Sequence, residues 1–126
     1  INSGVVRQKS VGPLKDIVVL DLSNGISGPG CGAILSDLGA QVINVESLDL
    51  PDHARFLGSA VSTGMAGLFA HTGRGKQSIV LNLVTSEGQE VLKALIEKSV
   101  SIFNVIKSSY ASSVHIQFEI ISRTSL

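Results

Sequence analysis

Residues 17–46 constrain this chain more than any other stretch. Ile17 to Leu22 is an almost unbroken apolar run, Ser23 to Gly28 is polar and glycine-bearing, Pro29 to Gly39 carries a spaced apolar face, and Val42 to Glu46 is apolar again. Such a string predicts strand, loop, helix and strand, the unit from which parallel sheets are built. The first run lacks strict alternation, as a parallel strand covered on both faces requires. Pro29 suits the first helical position, where a missing N–H is no loss. Ala33, Ile34, Leu35 and Leu38 give that helix its apolar face, and Gly39 suits its C-terminal stop.

A second unit of the same kind follows. Ser78 to Leu83 predicts a strand, Ser86 with Gln89 forms a capping box, and Val91, Leu92, Leu95 and Ile96 supply a buried helical stripe. Glu90, Lys93, Glu97 and Lys98 are expected on its wet face. Ser101 to Ile106 closes the unit as a strand. Between the units, residues 47–75 are irregular and rich in glycine, with a short helix near Ala66 to His71. The repeated strand–helix–strand order predicts an α/β fold, a Rossmann-like parallel sheet with flanking helices. Residues 1–12 read as a flexible lead-in, 13–106 as the folded segment and 107–126 as a divergent tail in which Val114 to Ile120 alternates like a half-exposed strand. Without an initiator Met the chain reads as a piece of something longer.

Composition removes several classes of function. The 126 residues carry 10 basic and 10 acidic side chains, so there is no basic surface for nucleic acid. Aromatics are 4% with no Trp, which leaves no stacking platform for single strands. No apolar run approaches a membrane span. Cys31 stands alone, so an intrachain disulfide is impossible and a reducing compartment is expected, the cytoplasm or an organelle matrix. The same thiol is expected to be buried and inert. His53, His71 and His115 lack metal-ligand spacing.

Gly28 to Ala33 formally matches G-x-G-x-x-A, with Glu46 where a ribose-binding acid would stand. That pattern would suit a nicotinamide-dependent oxidoreductase. Its spacing does not: five residues from Ser23 to Ser27 separate the strand from the first glycine, and Pro29 occupies a position needing close backbone approach. Gly73 to Lys76 is not a Walker loop, because Gln77 follows the lysine and a strand, not a helix, comes next.

The wording of the chain resembles the family III coenzyme A-transferases, the group of formyl-CoA transferase, the carnitine CoA-transferases and α-methylacyl-CoA racemase. The matching phrases are Gly12 to Leu22, Ser27 to Pro29, Leu35 to Ala40, Val42 to Glu46, Asp52 to Arg55, Arg74 to Leu83 and Ser86 to Gly88. They fall in family order with family-like spacing, as an N-terminal segment would. The resemblance implies a site for CoA or acyl-CoA as substrate, with no tightly bound cofactor, and a carboxylic acid as the second substrate. It places Ile26, Ser27, Gly28 and Pro29 beside the thioester and Arg74, Gly75 and Lys76 near the nucleotide end, and it matches Arg55 to a basic CoA-binding position after the second strand. On the residues alone those three charges read as solvated loop groups. The resemblance further implies a homodimer in the full-length form and a nucleophilic Asp beyond the matched region, so no residue here is given a catalytic role. Ser47 and Gln77 stand where the family usually has basic residues, and after Val100 the family's phrases stop. A non-catalytic binding or structural remnant therefore stands as the second reading.

Overall fold

The computed structural model describes residues 11–98 and 101–103. Its central sheet has four parallel strands in the order β5-β2-β1-β6, formed by β1 (Val18–Asp21), β2 (Gln41–Glu46), β5 (Gln77–Val80) and β6 (Ser101–Phe103). Strand β1 pairs with β2 from Val18 against Gln41, and with β6 from Val19 against Ser101. β1 is thus central, which accounts for its apolar run: Val19 and Leu20 are almost wholly buried. The parallel α/β expectation holds. The whole of the 107–126 tail, with its expected strand at Val114 to Ile120, lies outside the described residues, as do residues 104–106 of the expected last strand.

Helix α1 (Ser27–Asp37) joins β1 to β2, α2 (Gly67–Thr72) lies between β2 and β5, and α3 (Ser86–Lys98) joins β5 to β6. Right-handed crossovers place α1 and α2 on one face of the sheet and α3 on the other, because α3 returns in the opposite direction. Contacts of α1 with α2, and of α3 with β1, agree with that arrangement.

α1 departs from the expected pattern in two ways. It starts at Ser27, two residues before Pro29, which still lies in the first turn where an N–H would have no helical acceptor. It also buries its small residues, Gly28, Pro29, Gly32 and Ala33, leaving Ile34 57% and Leu38 42% exposed. Glycines let the helix lie close on the sheet, and the apolar stripe read from the sequence is split, with Ala33 and Leu35 turned inward and Ile34 and Leu38 left outside. Cys31 shares the outer face, so its thiol is exposed, not buried. The C-terminus stops as Gly39 predicts: at φ +97° it donates to Ser36 O, while Ala40 donates to Leu35 O, the paired bonds of a Schellman stop. Gly12 packs directly on the Leu38 carbonyl, and Leu14 donates to the same oxygen at 3.0 Å. The described end of the expected lead-in is therefore fixed against α1. The small core beneath comprises Val19, Ala40 and Val42, with Leu14, Ile17 and Leu35 against it.

The irregular stretch is more ordered than the sequence suggested. It holds a 3-10 turn at His53–Phe56, a two-stranded antiparallel hairpin of β3 (Ala60–Ser62) and β4 (Met65–Ala66), and then α2. At α3 the cap is Thr85, not Ser86: the Thr85 hydroxyl accepts from Gly88 N–H at 3.1 Å, and the Gln89 side chain turns to Leu83 O. The expected faces hold apart from one residue, with Glu90, Lys93, Glu97 and Lys98 all exposed. Leu92 is buried, Leu95 and Ile96 are half-buried, and Val91 is exposed.

Candidate functional site

The loop after β1 leads into α1, which crosses toward β2, while the strand on the other side of β1, β6, is reached by the opposite crossover through α3. That is the switch point where open α/β sheets leave a crevice beyond their strand ends. Three carboxylates fix the surroundings of this loop: Asp21 and Glu46 end β1 and β2, and Asp52 precedes the 3-10 turn.

Asp21 ends β1 and is fully buried. Its Oδ1 accepts from the backbone N–H and the hydroxyl of Ser23. Its Oδ2 lies 2.7 Å from Lys76 Nζ, which also donates to the Pro29 carbonyl at 2.7 Å. Lys76 arrives from the turn before β5, and its side chain is 3% exposed. Gly32 makes the room: a Cβ there would stand 2.8 Å from Asp21 Oδ2 and 2.9 Å from Lys76 Nζ.

Asp52, also buried, accepts from Gly25 N–H with both oxygens, at 3.0 and 3.1 Å, and from Ala54 N–H at 2.9 Å. One side chain thus caps the 3-10 turn and holds the loop at Gly25, whose φ of +85° suits glycine. His53 stands over Gly25, its Nδ1 3.6 Å from Asp52.

Glu46 ends β2 and meets Arg55 in a two-pronged pair, Nη2 to Oε1 at 2.6 Å and Nε to Oε2 at 2.9 Å. Ser78 donates to the same carboxylate, and Arg55 also reaches Gly64 O and lies 3.8 Å over the Phe69 ring. Hydrogen bonding from Arg55 holds the Glu46 carboxyl below its usual range against the opposing effect of burial, and the same bond raises Arg55. Glu46 is 7% exposed, so the acid that would hold a ribose in a dinucleotide fold is occupied by protein.

Of the residues singled out in the sequence, Ile26 and Ser27 are exposed at the mouth of the loop, and Gly28 and Pro29 are buried beneath them. Lys76 comes to Pro29. Arg55 stays at the end of β2. Arg74 pairs with Asp37 at 2.6 Å and donates to His71 O, at the far end of α1, about 15 Å along its axis from Ser27. Gly75 packs on the Ser36 side chain of the same helix. The three charges therefore do not converge. Arg74 is the accessible one, in an exposed pair; Arg55 and Lys76 are committed from behind.

The sequence reading missed Asp21 and Asp52 as anchors. A signal for Asp21 was present, because a carboxylate inside a run of buried strand residues requires a buried partner. Among the described residues no group of His, Cys, Asp or Glu could hold a metal ion, and no helix is long and apolar enough to cross a membrane.

A parallel α/β unit with flanking helices and an anchored loop after its central strand defines a Rossmann-like fold. Known proteins give it a family. The description of CoA-transferase family III matches residues 14–122, running past Val100. The chain is 35% identical over 92 residues to succinyl-CoA:mesaconate CoA-transferase of Haloarcula marismortui, covering 71% of this chain and 23% of that protein. It is 38% identical over 89 residues to succinyl-CoA–D-citramalate CoA-transferase of Chloroflexus aurantiacus, covering 71% and 22%. A CaiB/BaiF family protein from Brucella suis has the same fold, with a TM-score of 0.65 at 35% identity over 72% of this chain and 25% of that one. The chain belongs to CoA-transferase family III. It spans under a quarter of the length of these curated relatives, as a segment of the family fold would.

Proposed function

We propose that the chain is the N-terminal, CoA-binding part of an enzyme that moves coenzyme A between carboxylic acids through acyl-CoA thioesters. The observation that carries this reading is the loop Ile26 to Pro29, held at the sheet's switch point by buried carboxylates in a chain of this family. Exposed Ile26 and Ser27 suit the thioester end of the ligand. Arg74, at the other end of α1, suits a phosphate, since a guanidinium in an exposed pair can exchange one anion for another at little cost. Arg55 and Lys76 support these contacts from within the fold. By the family resemblance, the nucleophile that divides acyl exchange into easier steps lies beyond the segment matched here. Alone, the chain binds without turnover.

Calorimetric titration tests the reading. CoA should give a saturable heat and NAD none, and Arg74→Ala should weaken CoA about tenfold, the worth of one charge-assisted bond. Heat from NAD, or none from CoA with a demonstrably folded chain, would overturn it. The buried Arg55–Glu46 pair already leaves little basis for a nicotinamide site. The sister activity, racemisation of an acyl-CoA, shares the same thioester segment, and assay of a full-length relative carrying this segment separates the two.

A further inference from the structure

Lys76 matches a basic turn expected at a phosphate, yet its ammonium lies inside the fold. We infer that Lys76 is a positioning residue whose buried pair with Asp21 locks both ends of the loop from Leu22 to Pro29, and that it does not touch the ligand. The inference rests on the CoA reading of that loop.

The geometry makes one buried point do two tasks. Through Oδ1, Asp21 fixes Ser23 at the start of the loop; through Oδ2 it holds Lys76, which in turn holds the Pro29 carbonyl in the first turn of α1. The strand end, the loop, the helix start and the approach to β5 are thereby joined. Lys76 is 3% exposed and Asp21 fully buried. To reach a phosphate, Lys76 would have to leave a carboxylate unpaired in the core, which costs far more than one surface phosphate contact returns. Glycine at 32 is part of the device, since any side chain there would wedge the pair apart.

The experiment compares the whole wild-type chain with Lys76→Met by amide hydrogen exchange without ligand, and by titration with CoA and with pantetheine, which has no phosphate. The amides of Ser23, Gly25 and Gly30 should exchange about tenfold faster in the variant, with those of Val42 and Val45 unchanged. Affinity for CoA and for pantetheine should fall by the same factor. Unchanged exchange, with CoA weakened and pantetheine spared, would make Lys76 a phosphate ligand and overturn the inference. Should Lys76→Met fail to fold, Gly32→Ala keeps both charges and must show the same exchange signature at a smaller factor; unaltered exchange there is equally fatal. A wild-type chain that binds neither compound would defeat the CoA reading of the loop, while the exchange data would still decide the role of Lys76.

Discussion

Gly75 sits at φ +71° with the Ser36 side chain where a Cβ would go, so two separate penalties meet at one residue. A left-handed backbone costs a non-glycine residue on the order of 1–2 kcal/mol, and displacing Ser36 adds to that. Gly75→Ala should therefore lower stability by about 2 kcal/mol, read as a fall in the urea midpoint with the slope unchanged. Gly30 is the control: its Cβ would meet nothing within 4 Å, and Gly30→Ala, inside a helix, should be neutral or stabilising. Equal effects at the two positions would refute the argument. The sequence marked Gly75 as part of a basic turn but could not disclose Ser36 beneath it, because the two meet only once β5 lies beside β2. Arg55 shows the same limit. Its charge was legible, while its partner Glu46 was read as an open acid at a strand end.

Elements were more legible than their ends. The strands β1, β2 and β5 and the helices α1 and α3 follow from apolar runs and helical spacing, which depend on burial integrated over many residues. Their termini depend on single hydrogen bonds. In Thr85-Ser-Glu-Gly-Gln89 both hydroxyls suit a cap, and Gln89 favoured Ser86 by the capping-box rule. The backbone chose Thr85 and sent the Gln89 amide to Leu83 O. Thr85→Ala should accordingly destabilise the chain by about 1 kcal/mol, and Ser86→Ala by no more than a few tenths. Thermal midpoints of the two variants decide between the caps, and the reverse order would restore Ser86. The hairpin β3–β4 escaped the sequence reading for another reason: strands of three and two residues carry no periodicity to detect. In α1 the stripe was visible but its orientation was not, since close packing through Gly28 and Gly32 leaves Ile34 outside.

At the scale of the molecule, two carboxylates tie the segment from Pro51 to Thr72 to the sheet and its loop, Asp52 at Gly25 and Glu46 at Arg55, beside the packing of α2 on α1. Arg55 is the hub, for it joins Glu46, the hairpin at Gly64 O and the α2 ring of Phe69. This arrangement makes stability depend on acid in a defined sense. The folded-state pKa of Glu46 lies below its ordinary value of 4.5, so the unfolded chain binds the proton more readily. The pair's contribution is complete above pH 4.5 and is lost as pH falls through the depressed folded value. Arg55→Met removes the cause of the depression and leaves Glu46 buried without its cation. At neutral pH that variant should be about 2–3 kcal/mol less stable than wild type. The gap should close as the pH is lowered, because protonated Glu46 no longer needs Arg55. Urea midpoints of both proteins, followed from about pH 7 to about pH 3, measure that gap directly. A gap that stays constant over the range would mean that Arg55 acts through packing on Phe69 and not through Glu46. With the ionic link in place, hydrogen exchange should show the amides of Ala54 and Arg55 opening before those of Val42 and Val45 as acid is added, the module leaving the sheet before the sheet itself yields.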